Sequence, residues 1–420
     1  MNAGLLVVGI WLYLLGSRRA LLLIGLVPVA FVPFSYARQR LHRFLTLHTR
    51  GTVPWAIAAA GIACDLVMCA QIFDARSTPG STVLQGPVVS WVGAVWFSSH
   101  ALLLLGYAAA GLSRLGGRLM RSVLTRPVQA ERDGEVVLGR REFLQKAGLA
   151  GAALPFGVSL SNVSLSYDFR VEEREMTLPH WPPGLDGLRV VHLSDIHVGG
   201  AMNLERLLRV AELTNQCRPD LVLHTGDFLT HRSGDFDEPL YTALARIEAT
   251  YGQWACLGNH DYEDPERLVR RLRESGVYVL RDRLTTVSVR GQELQIAGLE
   301  FVFARLRRAP VYERITAAWG ARGNRPRILL NHDPSAFDEL PQDCADLVLS
   351  GHTHGGHIGL QLDADRAVTV VGLAGLPDQG VFSRGDMRLY VTRCVGFYGY
   401  PMRLGIPPEV ALLVLRAARA

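Results

Sequence analysis

Two rhythms of hydrophobic and polar positions divide the chain. In residues 1–137 the apolar positions run on almost unbroken, and Thr52–Phe73 and Leu84–Ala110 are each long enough to cross a bilayer core of about 30 Å as a helix. Two shorter apolar runs between Ala3 and Tyr36, split by Ser17-Arg18-Arg19, read either as a helical hairpin or as one tilted span preceded by an interfacial helix. This part is therefore predicted to be an N-terminal bundle of three or four transmembrane helices. From 163 to 420 the rhythm shortens. Val190–Leu193, Leu221–Leu223, Trp254–Leu257, Ile328–Leu330 and Leu347–Leu349 are apolar runs of strand length. Between them Asn203–Gln216 carries Leu and Val at helical spacing, and Asp264-Pro265-Glu266 opens a helix with Asp as cap and Pro in the first turn. Asn162–Thr177 alternates like an edge strand or hairpin. Short buried strands separated by helices predict an α/β layered domain whose partly parallel sheets are covered by helices.

Each short run ends in polar residues capable of binding a metal. The first ends in Asp195 and His197, which an extended backbone would project to the same side. The others end in Asp227, in Asn259-His260-Asp261, in His332, and in His352-Thr353-His354. One Asp-x-His pair is an ordinary surface turn more often than a metal site. Recurrence at five strand ends changes that weighing, because open α/β sheets gather their sites at strand ends.

In this order, Asp-x-His, Gly-Asp, Gly-Asn-His-Asp, His and Gly-His-Thr-His, the motifs resemble those of the calcineurin-like metallophosphoesterase superfamily, from about Leu188 to the C-terminus. Leu185–His197 and Pro401–Glu409 are similar to its membrane-associated bacterial branch. His357 departs from that branch, which usually has Gln after Gly-His-Thr-His-Gly-Gly, and its role stays open. The resemblance implies a layered phosphoesterase sandwich and two divalent cations. One would be held by Asp195, His197, His354 and a bridging Asp227, the other by Asp227, Asn259, His332 and His352. Oxygen and nitrogen donors without sulfur favour Mn, Fe or Zn, and Mg less strongly. Such a pair acidifies a bridging water and clamps phosphate oxygens during in-line attack. His260 is then the group that protonates the leaving oxygen, with Asp261 orienting its ring. His192 and His224 alternate to the opposite face of their strands and read as structural.

Composition sharpens the membrane reading. Hydrophobic residues make up 49% of the chain, with a mean hydropathy of +0.15, and the excess sits in the first third. The net charge of +5 comes from basic residues beside apolar segments, not from an aromatic-interleaved patch, so it argues for membrane topology and against nucleic acid. Arg38, Arg40, Arg43 and Arg50 mark one cytoplasmic loop, and Arg114, Arg118, Arg121 and Arg126 another. Asp65 and His100 lie within spans and read as interhelical hydrogen-bonding groups. Residues 138–162, with Gly139-Arg140-Arg141-Glu142-Phe143-Leu144 before an apolar Gly/Ala-rich run, resemble an internal twin-arginine export signal, the alternative being an amphipathic juxtamembrane helix. That signal implies a multi-pass protein of the bacterial inner membrane with its catalytic domain in the periplasm. Six cysteines without a Cys-x-x-Cys pair read as small buried hydrophobes. Together these features predict a membrane-anchored dimetal phosphoesterase that cuts a phosphodiester of a lipid-linked substrate. UDP-2,3-diacylglucosamine pyrophosphate hydrolysis is the alternative substrate, and a non-catalytic metal-binding scaffold the alternative class; the intact ligand set argues against the latter.

Overall fold

The computed structural model describes residues 157–159, 165–199, 202–230, 237–320, 323–363, 366–397 and 403–418. Compactness divides the chain into 1–73 with 92–161 and 74–91 with 162–420, and the fold that follows belongs to the second unit. The candidate spans, Asp65, His100, Arg140 and Arg141 lie outside the described residues. Among the described residues no helix is long and apolar enough to cross a membrane.

In chain order the elements are β1 (Arg170–Leu178), β2 (Leu188–Leu193), α1 (Leu204–Gln216), β3 (Leu221–His224), α2 (Glu238–Leu244), β4 (Gln253–Ala255), α3 (Pro265–Glu274), β5 (Val277–Val279), β6 (Arg283–Val289) and β7 (Gln292–Gly298). There follow α4 (Arg308–Ala318), β8 (Arg327–Leu330), β9 (Leu347–Ser350), β10 (Gly359–Gln361), β11 (Ala367–Thr369), α5 (Val370–Leu373), β12 (Gly380–Arg384), β13 (Met387–Val391) and β14 (Glu409–Ala417). They build two six-stranded sheets, ordered β1-β14-β2-β3-β4-β5 and β12-β13-β9-β8-β7-β6, and a small β10-β11 hairpin. Strands β2 to β5 are parallel, as are β7, β8, β9 and β13.

Period-two alternation explains why these strands read as unbroken apolar runs, since both faces of each sheet are buried. Leu188, Val190, Leu221 and Leu223 share one core with Ile328, Leu330, Leu347 and Leu349 of the other sheet. Their neighbours Val191, Leu193 and Val222 pack on Leu207 and Val210 of α1, Leu240 of α2 and Leu268 of α3. On the far side Leu329 and Val348 pack with Tyr312 of α4 and with Phe337. The layers are helix, sheet, sheet, helix. Helix α1 starts where Asn203 Oδ1 accepts from Arg206 N at 3.1 Å, and α3 starts at the Asp264-Pro265 cap read from the sequence.

Candidate metal centre

Beyond the strand ends the ladder continues as single bonds that interlock the loops. Asp195 N donates to Gly226 O (2.9 Å), His197 N to Asp227 O (3.0 Å) and Gly351 N to His332 O (3.1 Å). The glycine that precedes the ligand in three motifs has a steric cause. A Cβ on Gly226, whose φ is +86°, would stand 2.1 Å from Gly258 N, and one on Gly351 would stand 2.0 Å from Ser194 Oγ and 2.2 Å from Asp195 Oδ2.

At the first motif the backbone departs from the extended geometry expected from the sequence. Asp195 and His197 do not converge by extended-strand alternation, because β2 ends at Leu193 and both residues adopt φ near +50°. Asp227, His352 and His354 are also left-handed, at φ 53°, 68° and 51°. Backbone in this region is costly for residues with a Cβ and persists where the surroundings fix it, as the interlocked loops do.

Two groups of donors result. Asp195, His197 and His354 have ligand atoms within 4.8 Å of one another, and so do Asp227, His332 and His352. In the first, Asp195 Oδ1 lies 3.3 Å from His354 Nε2 and 3.7 Å from His197 Nε2. In the second, Asp227 Oδ2 lies 3.4 Å from His332 Nε2, which faces His352 Nδ1 at 3.1 Å. The same Asp227 Oδ2 stands 3.5 Å from His197 Nε2, so one carboxylate oxygen faces both groups.

The donor set fits two cations. Donors sharing an ion with bonds of about 2.1 Å stand roughly 3–3.4 Å apart, close to the separations here. Buried polar atoms ordinarily find hydrogen-bond partners, yet Asp195 Oδ1 and Asn259 Oδ1 are buried with none. Asp195 Oδ2, by contrast, accepts from Ser194 Oγ (2.5 Å), His352 N (2.9 Å) and Cys394 Sγ (3.1 Å). One oxygen is saturated while its twin is held bare toward the imidazoles. His332 Nδ1 donates to Thr225 O (2.6 Å) and His354 Nδ1 to Gly396 O (3.3 Å), which leaves both Nε2 atoms to face the centre.

Charge is concentrated accordingly. Burial pushes the Asp195 carboxyl up, but the imidazoles of His354, His332 and His197 outweigh it and hold it well below the usual range. Asp227 is likewise lowered against its burial, chiefly by His332. For His332 burial opposes the imidazolium, but Asp227 and Asp195 raise its pKa to about 10; His354 and His352 are lowered, mainly by burial. A cation replaces this proton in the balance of charge.

His260 stands beside the first group, its ring 5.2 Å from that of His197, with Nδ1 3.2 Å from Thr230 O and its backbone N donating to Asp227 Oδ1 at 2.8 Å. The expectation that Asp261 orients this ring is corrected. Asp261 is buried, and its oxygens accept four backbone N–H groups, from Gly258 and Asp227 (both 2.8 Å), Phe228 (2.9 Å) and Leu229 (3.4 Å). Burial and the Asp227 charge raise its pKa to about 7. It braces the Asp227 loop against the Asn259 loop, and the Thr230 carbonyl faces the His260 ring. His192 and His224 are buried against Thr225 Oγ1 (2.8 Å) and Gln253 Oε1 (3.1 Å), where burial lowers their pKa values to about 3 and 4. Neither belongs to the two groups, and His192 is joined to Asp195 through Thr225 Oγ1 and Ser194 Oγ. His357, at φ 55°, lies with its ring 4.5 Å from that of His354.

Sequence reasoning missed several contributors. Cys394, read as an inert buried hydrophobe, donates its thiol to Asp195 from 199 residues away. Arg403 is buried and reaches only backbone carbonyls, those of His354 (3.0 Å), Arg393 (2.6 Å), Cys394 (3.2 Å) and Gly396. It ties the His354 loop to the 393–396 loop. No spacing signal marks Cys394, and Arg403 stands within the Pro401–Glu409 stretch with nothing there to show which carbonyls it binds.

Residues 188–356 match the family model for calcineurin-like phosphoesterases. Among curated proteins, the uncharacterized metallophosphoesterase YkuE of Bacillus subtilis is 28% identical over 288 residues, covering 67% of this chain and 98% of the relative. A zebrafish (Danio rerio) transmembrane protein with metallophosphoesterase domain is 31% identical over 261 residues, and the match spans 59% of this chain and 58% of that protein. Phosphodiesterase YaeI of Escherichia coli is 27% identical over 234 residues, 54% of this chain and 82% of the relative.

Proposed function

We propose that this metal-dependent phosphoric ester hydrolase, whose residues 188–356 match the calcineurin-like phosphoesterase family, is a membrane-anchored phosphodiesterase acting on a lipid-linked phosphodiester. The observation that carries the reading is the paired centre: two donor groups facing one Asp227 oxygen, with Asp195 Oδ1 and Asn259 Oδ1 buried and bare. Asp195, His197, His354 and Asp227 would hold one cation, and Asp227, Asn259, His332 and His352 the other. Bound there, divalent Mn, Fe or Zn supplies the charge that acidifies a water and neutralises phosphate oxygens.

The chain's own groups do the rest. The Thr225 and Gly396 carbonyls fix the tautomers of His332 and His354, and Ser194 with Cys394 turns Asp195 so that Oδ1 faces inward. His260, its Nδ1 donating to Thr230 O, would as an imidazolium give its Nε2 proton to the leaving oxygen. A diester carries one negative charge and a monoester up to two. Buried arginines beside the metal loops are committed, Arg308 to Asp333 (2.6 Å), Arg393 to Glu409 (2.8 Å) and Arg403 to carbonyls, which supports the diester. A relative named as a phosphodiesterase supports it too.

Thr52–Phe73 and Leu84–Ala110 support the anchor, and Arg140-Arg141 supports a periplasmic catalytic domain in a bacterial inner membrane. Lys at both arginines should strand that domain in the cytoplasm, because the export receptor reads paired guanidinium groups. Unchanged protease access in spheroplasts would refute the exported orientation. For the activity, the full chain with added Mn is assayed on a nitrophenyl monoester, a nitrophenyl diester, phospholipid diesters and UDP-2,3-diacylglucosamine. Turnover of diesters above the monoester is expected. Preference for the monoester overturns the diester reading, and exclusive turnover of the sugar nucleotide favours a pyrophosphate substrate.

A further inference from the structure

The β10–β11 hairpin is amphipathic in the wrong sense for a surface element in water. On its inner face Gln361 meets Gln379 at 3.1 Å, and the buried Thr369 donates to Asp378 Oδ2 at 2.5 Å. Its outer face is mostly apolar, with the exposed Arg366 at its tip. Leu360 pairs directly across from Val368, and Leu362 follows on the same side two residues on. Leu360 is 62% exposed, Leu362 58%, and Leu373 of the adjoining α5 79%. An antiparallel pair normally turns its apolar face to the protein and its polar face to water, and this one does the reverse.

A second apolar projection stands at the other metal group. Phe301 lies 5.9 and 6.0 Å from the His332 and His352 rings, and Phe303, 64% exposed, stacks edge-on against it at 4.8 Å. Leu306 beyond it is fully exposed. The hairpin is tied to the first group: Thr353 Oγ1 donates to Asp378 O at 2.6 Å, and a Cβ on Gly356 would meet Thr369 at 2.8 Å. Solvent-exposed large apolar residues on both flanks of a polar centre are a feature of interaction surfaces.

We propose that these two projections form a lipid-facing rim that seats the centre on a bilayer, so that a phosphodiester headgroup reaches the metals while its acyl chains stay among Leu306, Leu360, Leu362 and Leu373. This rests on the lipid-linked reading above. The bilayer is chosen over a protein partner because the same chain carries Thr52–Phe73 and Leu84–Ala110, each of bilayer-spanning length. Leucines and a phenylalanine on a short hairpin and loop also match how an interfacial element inserts its apolar side.

The test uses the full chain in vesicles of phosphatidylethanolamine and phosphatidylglycerol, with p-benzoyl-phenylalanine replacing Leu306, Leu360 or, as control, the exposed Tyr278 on edge strand β5. Illumination should yield lipid adducts at 306 and 360 and none at 278. Adducts to protein, no adducts at 306 and 360, or equal adducts at all three sites overturn the rim. Separately, Leu360→Ser with Leu362→Ser should lower kcat/KM on a bilayer-resident diester by at least about tenfold, through lost apolar burial, and leave a soluble nitrophenyl diester within about twofold. Equal loss on both substrates, or none on either, overturns it as well. Lipid adducts without lipid turnover would mean that the substrate reading fails and the rim stands, whereas lipid turnover without adducts would mean the opposite.

Discussion

On the side of the first sheet, the loops after β2, β3 and β4 bring Asp195, His197, Asp227 and Asn259; on the side of the second, the loops after β8 and β9 bring only imidazoles, His332, His352 and His354. The two halves are also held differently. Carboxylates of the first are fixed by donors: His260 N on Asp227 Oδ1, and Ser194, Cys394 and His352 N on Asp195 Oδ2. Imidazoles of the second are fixed by acceptors, and the acceptor for His332, Thr225 O, belongs to the first half. Negative charge therefore resides in one half and orientation is borrowed across the cleft between sheets. Losing Asp227 should disturb both cations, and losing an imidazole only one.

Asp227→Asn gives the largest expected effect. It removes the charge of the oxygen that faces both groups and leaves the repulsion between two cations less compensated. Turnover should disappear and metal content fall below two per chain, while circular dichroism stays that of the folded protein. His354→Ala should keep one metal bound to the second group. An Asp227→Asn variant with two metals and wild-type turnover would refute the shared carboxylate.

His260→Ala comes next, at roughly 100- to 10,000-fold in turnover, the range for one general acid. Both metals should remain, and the defect should be large for a phospholipid-like alkoxide leaving group and small for nitrophenolate. Equal defects on both esters would assign His260 to positioning the phosphate instead.

The same contrast shows what the sequence could disclose. All seven proposed ligands stood at the ends of apolar runs of readable length, because a strand buried on both faces must be apolar and the chain turns polar only where it leaves the sheet. Layering was legible for the same reason. What failed was local direction: Asp195 and His197 meet through left-handed backbone, not strand alternation, and Asp261 braces backbone N–H groups, not the His260 ring. Cys394 and Arg403 were invisible as site residues. Their partners lie across a loop closed by β13 and β14, and no spacing along the chain encodes that closure.

Cys394 offers the next smaller effect. Removing its thiol in Cys394→Ala leaves Asp195 Oδ2 with two donors and frees the carboxylate to rotate, so metal affinity at the first group should drop roughly 10- to 100-fold, as for other supporting residues of metal ligands. Cys394→Ser retains a donor and should recover most of it. Titration of the metal-free protein with Mn, read by calorimetry, checks this, and equal affinities for Ala and wild type would reduce Cys394 to packing.

The smallest effect concerns the imidazole half, where Asp333 follows His332 and anchors its loop. Its carboxylate is buried, accepts from Ser335 N at 2.9 Å and pairs with Arg308 at 2.6 Å. Burial pushes it up, but Ser335, His352 and Arg308 outweigh that and hold its pKa at about 2, below the ordinary 3.8. A carboxyl lowered in the folded state stabilises it above its unfolded pKa and ceases to do so as pH falls through the folded one. The contribution, about 2 kcal/mol, is thus complete above roughly pH 5 and lost between about pH 4 and 2. Asp333→Asn lacks it at every pH. In urea unfolding with chelator present, the gap in stability between wild type and Asp333→Asn should narrow by about that amount as pH is lowered from 5 toward 2. A gap that stays constant would mean that Arg308 and Ser335 position this loop without holding its charge.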